Sequence, residues 1–416
     1  MNPLVVHRVT VYPLGIPFRQ RVRHAAAERT ASDAIVVRVE TVHGHSGFGE
    51  TLAREYVTGE TAATVLGAIR DVYLPFLTTF RARSFADAFE AIDALPWVTR
   101  EGHPCSAARA AVELSLLDLT LRIFARDMES LVGWLDLPGF GKPGSLDRIR
   151  FSGVLASEDL SRTMRQLRLM YWSGLRHFKL KVGFPEDAQT VRAVARYLGS
   201  VLRDGRATLR VDANGAWTAA SAHDWLQGMR DVPLVAVEQP LSPADDSKLV
   251  PLVDDGLLSG TVGRVGRTRL PGSAPEAPIV VLDESLRTLD DAQTLVEAGI
   301  GGGFNIRIAK CGGLIPSLRL AAFARREGVQ IQLGCMVGET SLLSAAAIRF
   351  LEVCPGVRWA EGCFGKLLLR DEIVARPLRF GFGGRPPKPN SGGLGPTPDP
   401  RNLDRLCIST PVLYQL

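Results

Sequence analysis

Two short runs place chemistry-bearing residues at the ends of consecutive strand-like segments. HFKLKVG carries Lys179 and Lys181 on either side of Leu180, and ATLRVDANGAW carries Asp212 and Asn214. Side chains alternate along a strand, so both ammonium groups share one face and Leu180 takes the other. Like charges that close need an anion nearby, and the next segment ends in Asp212. Two further apolar runs end in acids: Glu238 in VAVEQPL, and Asp283 followed by Glu284 in VVLDES. Three carboxylates at the ends of apolar strands are costly to bury unpaired. A hard divalent cation removes that cost. Mg²⁺ prefers oxygen ligands and keeps positions open for water or substrate, so Asp212, Glu238 and Asp283 read as a metal triad. Lys310, in FNIRIAKCGG, faces Lys181 across that triad. A lysine beside a metal and a second cation is pushed toward neutrality, as a general base near neutral pH requires. With the metal stabilising charge on a substrate carboxylate, the implied chemistry is loss of a proton from the adjacent carbon to give an enolate.

These residues need a scaffold that gathers strand ends on one rim. Beyond a Pro/Gly-marked boundary (Pro138, Gly139, Gly141, Pro143, Gly144), strands and helices alternate at roughly 25 to 30 residues per unit. Strands are expected at 150–155, 177–182, 208–212, 234–238, 279–283, 303–308, 329–334 and 357–360. Eight such units predict a closed (β/α) barrel over 145–362, with reactive groups at the C-terminal strand ends. The Gly-rich phosphate fingerprint of a dinucleotide fold is missing from the first βα turn, which disfavours an open doubly wound sheet. Ser242–Pro278 is longer than a βα unit needs, and its Gly/Arg-rich run is expected to form a mobile surface insertion. Residues 1–135 read as an α+β domain. Its alternating runs 3–12, 34–41 and 46–50 form a small meander, and helical spacing covers 60–74, 84–94 and 104–125. The arginine-rich stretch 15–32 is too long for a hairpin and is expected to be a loop, with Arg21, Arg23 and His24 as candidate contacts for a substrate carboxylate. Residues 363–416, Gly/Pro-rich from about Phe380, should run back over the surface toward the N-terminal domain.

Composition narrows the setting. With 46% hydrophobic and 22% charged residues the chain is an ordinary globular protein with enough apolar content for a large core. The net charge of +5 comes from scattered arginines rather than a basic run, so nucleic acid is not an expected partner. The six cysteines lack a C-x-x-C pair and read as reduced thiols of a cytoplasmic protein, without zinc or disulfides. No segment approaches the roughly 18 apolar residues of a membrane helix, and a signal peptide is not apparent.

Taken together, FKLKVG, VDANGAW, VEQPL, DES and FNIRIAKCGGL resemble, in this order, the motifs of the enolase superfamily and within it the muconate lactonizing enzyme subgroup. The resemblance implies a modified (β/α)7β TIM-type barrel capped by the N-terminal α+β domain and the C-terminal segment. It also implies Mg²⁺ or Mn²⁺ on Asp212, Glu238 and Asp283, and Lys181 and Lys310 as the acid/base pair. Lys179 would stabilise the substrate carboxylate or lower the pKa of Lys181, with Asn214 and Glu284 behind the ligands. The segments 15–32 and 51–58, the latter with Arg54 and Tyr56, would close over a small carboxylate substrate, and the assembly would be a homo-oligomer. The mandelate racemase and sugar-acid dehydratase branches resemble each other in using a histidine on the seventh strand, and this chain has none after His223. The two-lysine branch is therefore favoured. Dipeptide epimerases typically carry a D-x-D pair after the eighth strand, where this chain has WAEGCFGKLLL and only Glu361 is acidic. The arginines at 21, 23 and 54 with His24 suit a dicarboxylate, so the reading is a muconate-cycloisomerase-like isomerase. Dipeptide epimerase, N-acylamino acid racemase, o-succinylbenzoate synthase and a catalytically silent binding protein stay open. Cys335, Met336 and Glu339, beyond the seventh strand, are further candidate substrate contacts. Cys335 reads first as a packing residue, and Glu339 either bonds a lysine or caps the following helix.

Overall fold

The computed structural model describes residues 3–24, 27–142, 145–260, 276–388 and 392–416. The N-terminal part is built on strands β1 (Leu4–Pro13), β2 (Ile16–His24), β3 (Ala27–Ser32), β4 (Ile35–Thr41), β5 (Ser46–Thr51) and the two-residue β6 (Arg81–Ala82). β1, β4 and β5 form the antiparallel meander expected from their alternation, with Val9 opposite Val39 and Val37 opposite Gly49. Its buried face packs on helix α1 (Ser106–Ile123), whose residues from Ser106 to Leu121 are all buried. A helix buried on every side belongs inside a core. Here it is covered on one side by the sheet and on another by the barrel. The glycines of β5 make the close approach possible: a Cβ on Gly49 would lie 2.0 Å from the Ala111 carbonyl oxygen, and one on Gly47 2.2 Å from that of Ser115.

The stretch 15–32 is not a loop. β2 and β3 pair as a separate two-stranded antiparallel sheet whose register breaks between Pro17 and Val22. Its arginines mask a short alternation in which Ile16 and Phe18 are buried and anchor the ribbon. The ribbon leans on the barrel: Ser32 Oγ donates to the Gly338 carbonyl at 2.6 Å, and Arg370 N to the Pro17 carbonyl at 2.9 Å.

The second part is one sheet of eight parallel strands: β7 (Gly153–Leu155), β8 (His177–Lys181), β9 (Thr208–Asp212), β10 (Ala236–Glu238), β11 (Ile279–Leu282), β12 (Gly303–Ile306), β13 (Gln330–Leu333) and β14 (Val357–Ala360). A parallel bridge between Phe151 and Ala360, with Ser152 N donating to the Ala360 carbonyl at 2.8 Å, joins first strand to last and closes the barrel. Seven helices follow the first seven strands: α2 (Leu160–Trp172), α3 (Asp187–Arg203), α4 (Ala219–Gly228), α5 (Leu249–Asp254), α6 (Leu289–Glu297), α7 (Leu314–Arg326) and α8 (Ser341–Val353). This is the TIM-type architecture with an N-terminal α+β domain. All eight predicted barrel strands are present, most of them shorter than predicted. The core of the expected insertion, residues 261–275, lies outside the described residues. The C-terminal strand β15 (Val412–Gln415) pairs antiparallel with β1, Tyr414 opposite Val9. Among the described residues no helix is long and apolar enough to cross a membrane, and all six cysteines are free thiols.

Candidate active site

Strand alternation and lateral register together assemble the site. Lys181 is opposite Asp212, and Asp212 opposite Glu238, so three side chains from β8, β9 and β10 point inward side by side. One layer deeper, Lys179 is opposite Arg210. Asp283 follows β11, Asn305 lies on β12, Gln332 on β13, and Glu361 follows β14. Every one of these acids and amides is buried.

Their hydrogen bonds form one connected network. Lys181 Nζ donates to Asp212 Oδ2 at 2.6 Å and to Asn214 Oδ1 at 2.8 Å. Asn214 adopts a left-handed conformation (φ 46°), which turns its amide back so that Nδ2 donates to Glu284 Oε1 at 3.2 Å. Lys179 Nζ sits among three carboxylates, 2.7 Å from Glu361, 3.0 Å from Glu238 and 3.1 Å from Asp212. Burial alone would lower its pKa. The three acids outweigh burial and hold it well above the ordinary lysine value, so Lys179 is a fixed cation. Glu238 also accepts from Asn305 Nδ2 and Gln332 Nε2, both at 2.8 Å. Across the barrel, Lys310 Nζ donates to Asp283 Oδ1 at 2.9 Å and to the carbonyls of Asp283 and Asn305 at 2.6 and 2.8 Å. Its side chain is fully buried, and burial, with Arg307 adding to it, pushes its pKa down to about 8. The Arg307 guanidinium rests against the other oxygen of Asp283. Burial works against ionisation of Asp212, yet Lys181 and Lys179 hold it far below the usual carboxylate range. Glu284 goes the other way, raised by burial and by the charge of Asp212.

The structure therefore brings Lys179, Lys181, Asp212, Asn214, Glu238, Asp283, Glu284, Lys310 and Glu361 into one site. Other candidates fall elsewhere. Arg21 is exposed and pairs with Glu28 at 3.3 Å. Arg54 is buried and spent on structure, bonding Asp33 Oδ1 at 2.7 Å and the Val337 carbonyl at 2.8 Å, which ties the segment after β5 to the loop after β13. The side chains of Arg23 and His24 lie outside the described residues. Tyr56 lines a cleft of about 410 Å³ that also reaches Glu284 and Ser285. Cys335 is half-buried, its thiol pushed well up by burial. Met336 is buried and its amide donates to Glu339 Oε2 at 3.2 Å, while Ser344 Oγ donates to Glu339 Oε1 at 3.0 Å. Glu339 thus braces the start of α8.

Four members of the network escaped sequence reasoning. Arg210 precedes Asp212 by two residues, and Asn305 and Arg307 lie inside the motif that yielded Lys310. Gln332 lies in the plain run QIQL. For Arg210 the signal was available as the period of two counted back from Asp212 at the end of its strand. Arg210 Nη2 donates to Ser152 Oγ at 2.8 Å and pairs with Glu361 at 3.1 Å, its Nη1 donates to Gln332 Oε1, and its guanidinium stacks 4.9 Å from the Trp359 ring centroid.

The family model described as enolase C-terminal domain-like matches residues 162–402. The chain belongs to the enolase superfamily. Muconate cycloisomerase 1-2 of Acinetobacter lwoffii is 26% identical over 98% of this chain and 97% of its own. N-succinyl-L-Arg/Lys racemase of Bacillus cereus is 23% identical over 89% of this chain and 87% of its own. The structure of the muconate lactonizing enzyme from Pseudomonas putida superposes with a TM-score of 0.76 at 26% identity, covering 97% of this chain and all of that one.

The centre's donors suit a hard cation. Asp212, Glu238 and Asp283 offer only oxygen, from adjacent strand ends, and Glu284 Oε2 is buried without a hydrogen-bond partner. Five carboxylates (Asp212, Glu238, Asp283, Glu284, Glu361) face five cations (Lys179, Lys181, Lys310, Arg210, Arg307). The set is charge-balanced as it stands, so a bound divalent ion would require some of these cations to move aside or give up their charge. Among the described residues no three acidic, His or Cys side chains are drawn together as a metal cluster. Each carboxylate is instead held by a cation or amide of its own.

Proposed function

We propose that this protein is a divalent-metal-dependent isomerase that moves a proton at the carbon next to a substrate carboxylate. The observation that carries the reading is the placement of two lysines on opposite flanks of three buried carboxylates, Lys181 against Asp212 and Lys310 against Asp283. Asp212, Glu238 and Asp283 would hold Mg²⁺ or Mn²⁺, which when bound supplies a Lewis acid for the substrate carboxylate. Lys181 and Lys310 exchange the proton from opposite faces of the substrate. Lys179, locked among Glu238, Glu361 and Asp212, stays charged and fixes the acids in place.

The finer assignment is muconate-cycloisomerase-like, in keeping with the relatives of that name. Glu361 bears on the dipeptide alternative. The acid after β14 is only 4% exposed and is occupied by Lys179 and Arg210, so it has no free charge for a substrate ammonium. A racemase acting on N-acylated cationic amino acids is the second reading, because the cleft beside Tyr56 is lined by Glu55, Asp246, Glu284 and Asp291 with Arg287 as its cation. Its acidic wall suits an ammonium or guanidinium tail better than a second carboxylate, and a relative named for Arg/Lys substrates is consistent with this.

The test is solvent-deuterium incorporation, with Mg²⁺, into a panel of dipeptides, N-succinylamino acids including the Arg and Lys forms, and muconate derivatives. Wild type is expected to exchange or convert one class, and Lys181→Ala and Lys310→Ala to lose it by at least 10³-fold. Equal turnover by wild type and both variants would sink the two-lysine mechanism.

A further inference from the structure

Lys310 lies in neither strand nor helix. It falls between β12, which ends at Ile306, and α7, which begins at Leu314, in a turn whose inner bonds are Cys311 N to the Arg307 carbonyl and Gly313 N to the Ile308 carbonyl, both 2.9 Å. Its ammonium meets three acceptors, so its reach depends on where this turn places the Lys310 backbone.

The outer side of the turn is held by the other domain. Arg109, on α1, is 1% exposed. Its Nη1 donates to the Gly312 carbonyl at 2.6 Å, its Nε to Leu95 and its Nη2 to Asp93 at 3.2 and 3.1 Å, so each nitrogen binds a carbonyl. Trp97 stacks on the guanidinium, 4.3 Å from ring centroid to carbon. One helical turn further, the buried Glu113 accepts from Ile315 N at 2.8 Å, fastening the first turn of α7. The fit leaves no room for side chains. A Cβ on Gly312 (φ 83°) would lie 2.6 Å from Trp97, and one on Gly313 (φ 122°) 2.4 Å from the Glu113 carboxyl carbon. A buried guanidinium satisfied only by carbonyls is a costly way to stabilise a fold. It is an effective way to pin a turn.

We infer that Arg109 and Glu113 are positioning residues for Lys310: the N-terminal domain, through α1, sets the place of a proton-transfer group that the barrel carries. The inference rests on Lys310 moving a proton, as proposed above, and claims in addition that the barrel alone does not place it. Displacements near 1 Å at such a group cost about 100-fold in rate.

The experiment compares Arg109→Met, Arg109→Lys, Glu113→Ala and Glu113→Gln with Lys310→Ala. Crystal structures are read at Lys310 Nζ, amide hydrogen exchange over 307–315, and kcat and KM on the panel member that wild type turns over. Arg109→Met and Glu113→Ala are expected to lower kcat 10- to 100-fold with KM within about twofold, to lose Nζ contacts with Asp283 or Asn305, and to raise exchange over 307–315. Glu113→Gln, which keeps an oxygen acceptor for Ile315 N, is expected to restore most of the rate. If Lys310 keeps its three contacts in the Met and Ala variants, the inference is overturned, whether or not a panel member reacts. A purely structural role would lower the melting temperature and leave kcat of the folded enzyme unchanged. If Lys310→Ala retains full turnover, the proton-transfer reading fails instead.

Discussion

At the scale of single residues, the lysines and carboxylates of the site were legible because each ends an apolar run, where a charge has no structural reason to stand. Their partners were not. Arg210, Asn305, Arg307 and Gln332 sit in the same runs, and nothing in their types separates a barrel-filling amide from a surface one until the strands are placed side by side. The same blindness affected Glu361 and Arg54, both expected to meet substrate and both occupied by protein. Glu361 shares Lys179 and Arg210, and all three are almost fully buried. Removing one partner from such a set leaves an uncompensated buried charge, worth about 3–5 kcal/mol. Glu361→Gln is expected to destabilise the protein by about 3 kcal/mol in urea denaturation, and unchanged stability would show that Lys179 has sufficient compensation from Asp212 and Glu238. Metal binding is tested at the same scale. Wild type is expected to give a Mg²⁺ binding heat in titration calorimetry that Asp212→Asn and Asp283→Asn abolish, whereas Arg21→Ala, which alters an exposed ion pair, should leave it intact.

At the scale of elements, the barrel strands were legible from β-branched runs spaced by amphipathic helices, and the meander from its period of two. The β2–β3 ribbon was not, because Ile16 and Phe18, with Val22 half-buried, are the anchors of its first strand and most of the remaining positions are polar. What the sequence could not reveal was how closely α1 lies on β5. Gly47 and Gly49 fall in the alternating run 46–50, which says nothing of what lies against them, yet they are contact surfaces. Adding a methyl at Gly49 forces backbone atoms of α1 at 2.0 and 2.6 Å to move, since the obstructing atoms are the Ala111 carbonyl oxygen and the Ser115 nitrogen. Overpacking of this kind costs about 1–3 kcal/mol. Gly67, inside the helix Ala62–Ala68, has nothing within 4 Å of its would-be Cβ. Gly49→Ala should therefore lower the melting temperature by several degrees, while Gly67→Ala should raise it slightly through helix propensity, about 0.5–1 kcal/mol. Equal effects of the two substitutions in differential scanning calorimetry would show that β5 and α1 can slide apart without cost.

At the scale of the whole molecule, the two parts are joined by carboxylates of the N-terminal domain set against the starts of barrel helices. Glu50, at the end of β5, accepts from Thr340 N and Oγ1 at 2.7 Å and from Leu343 N at 2.9 Å, at the start of α8. Glu113 does the same for α7. Burial pushes both carboxyls up to about 7 despite these bonds. A raised carboxyl pKa means that the folded state keeps a proton which the unfolded chain releases near 4.5, so stability present below that pH is lost as pH rises through about 7. Each group contributes on the order of 3 kcal/mol across that interval. His177, at the start of β8, opposes them. Burial, with Arg210 adding to it, lowers its pKa to about 4, so its contribution is present above about 6.5 and is lost as pH falls toward 4. Between about 4.5 and 6.5 one histidine partly offsets two carboxyls, and from about 6.5 to 7 the carboxyls act unopposed. Unfolding free energy should accordingly fall from pH 5.5 to pH 8, measured by urea denaturation in one buffer series. Glu50→Gln and Glu113→Gln, which keep acceptors but cannot ionise, should each flatten that slope, and the double variant should flatten it further, with Glu339, pushed up to about 8 by burial, retaining the rest. Parallel slopes in wild type and double variant would mean that the junction holds both carboxylates ionised throughout, stabilised by the helix starts they meet.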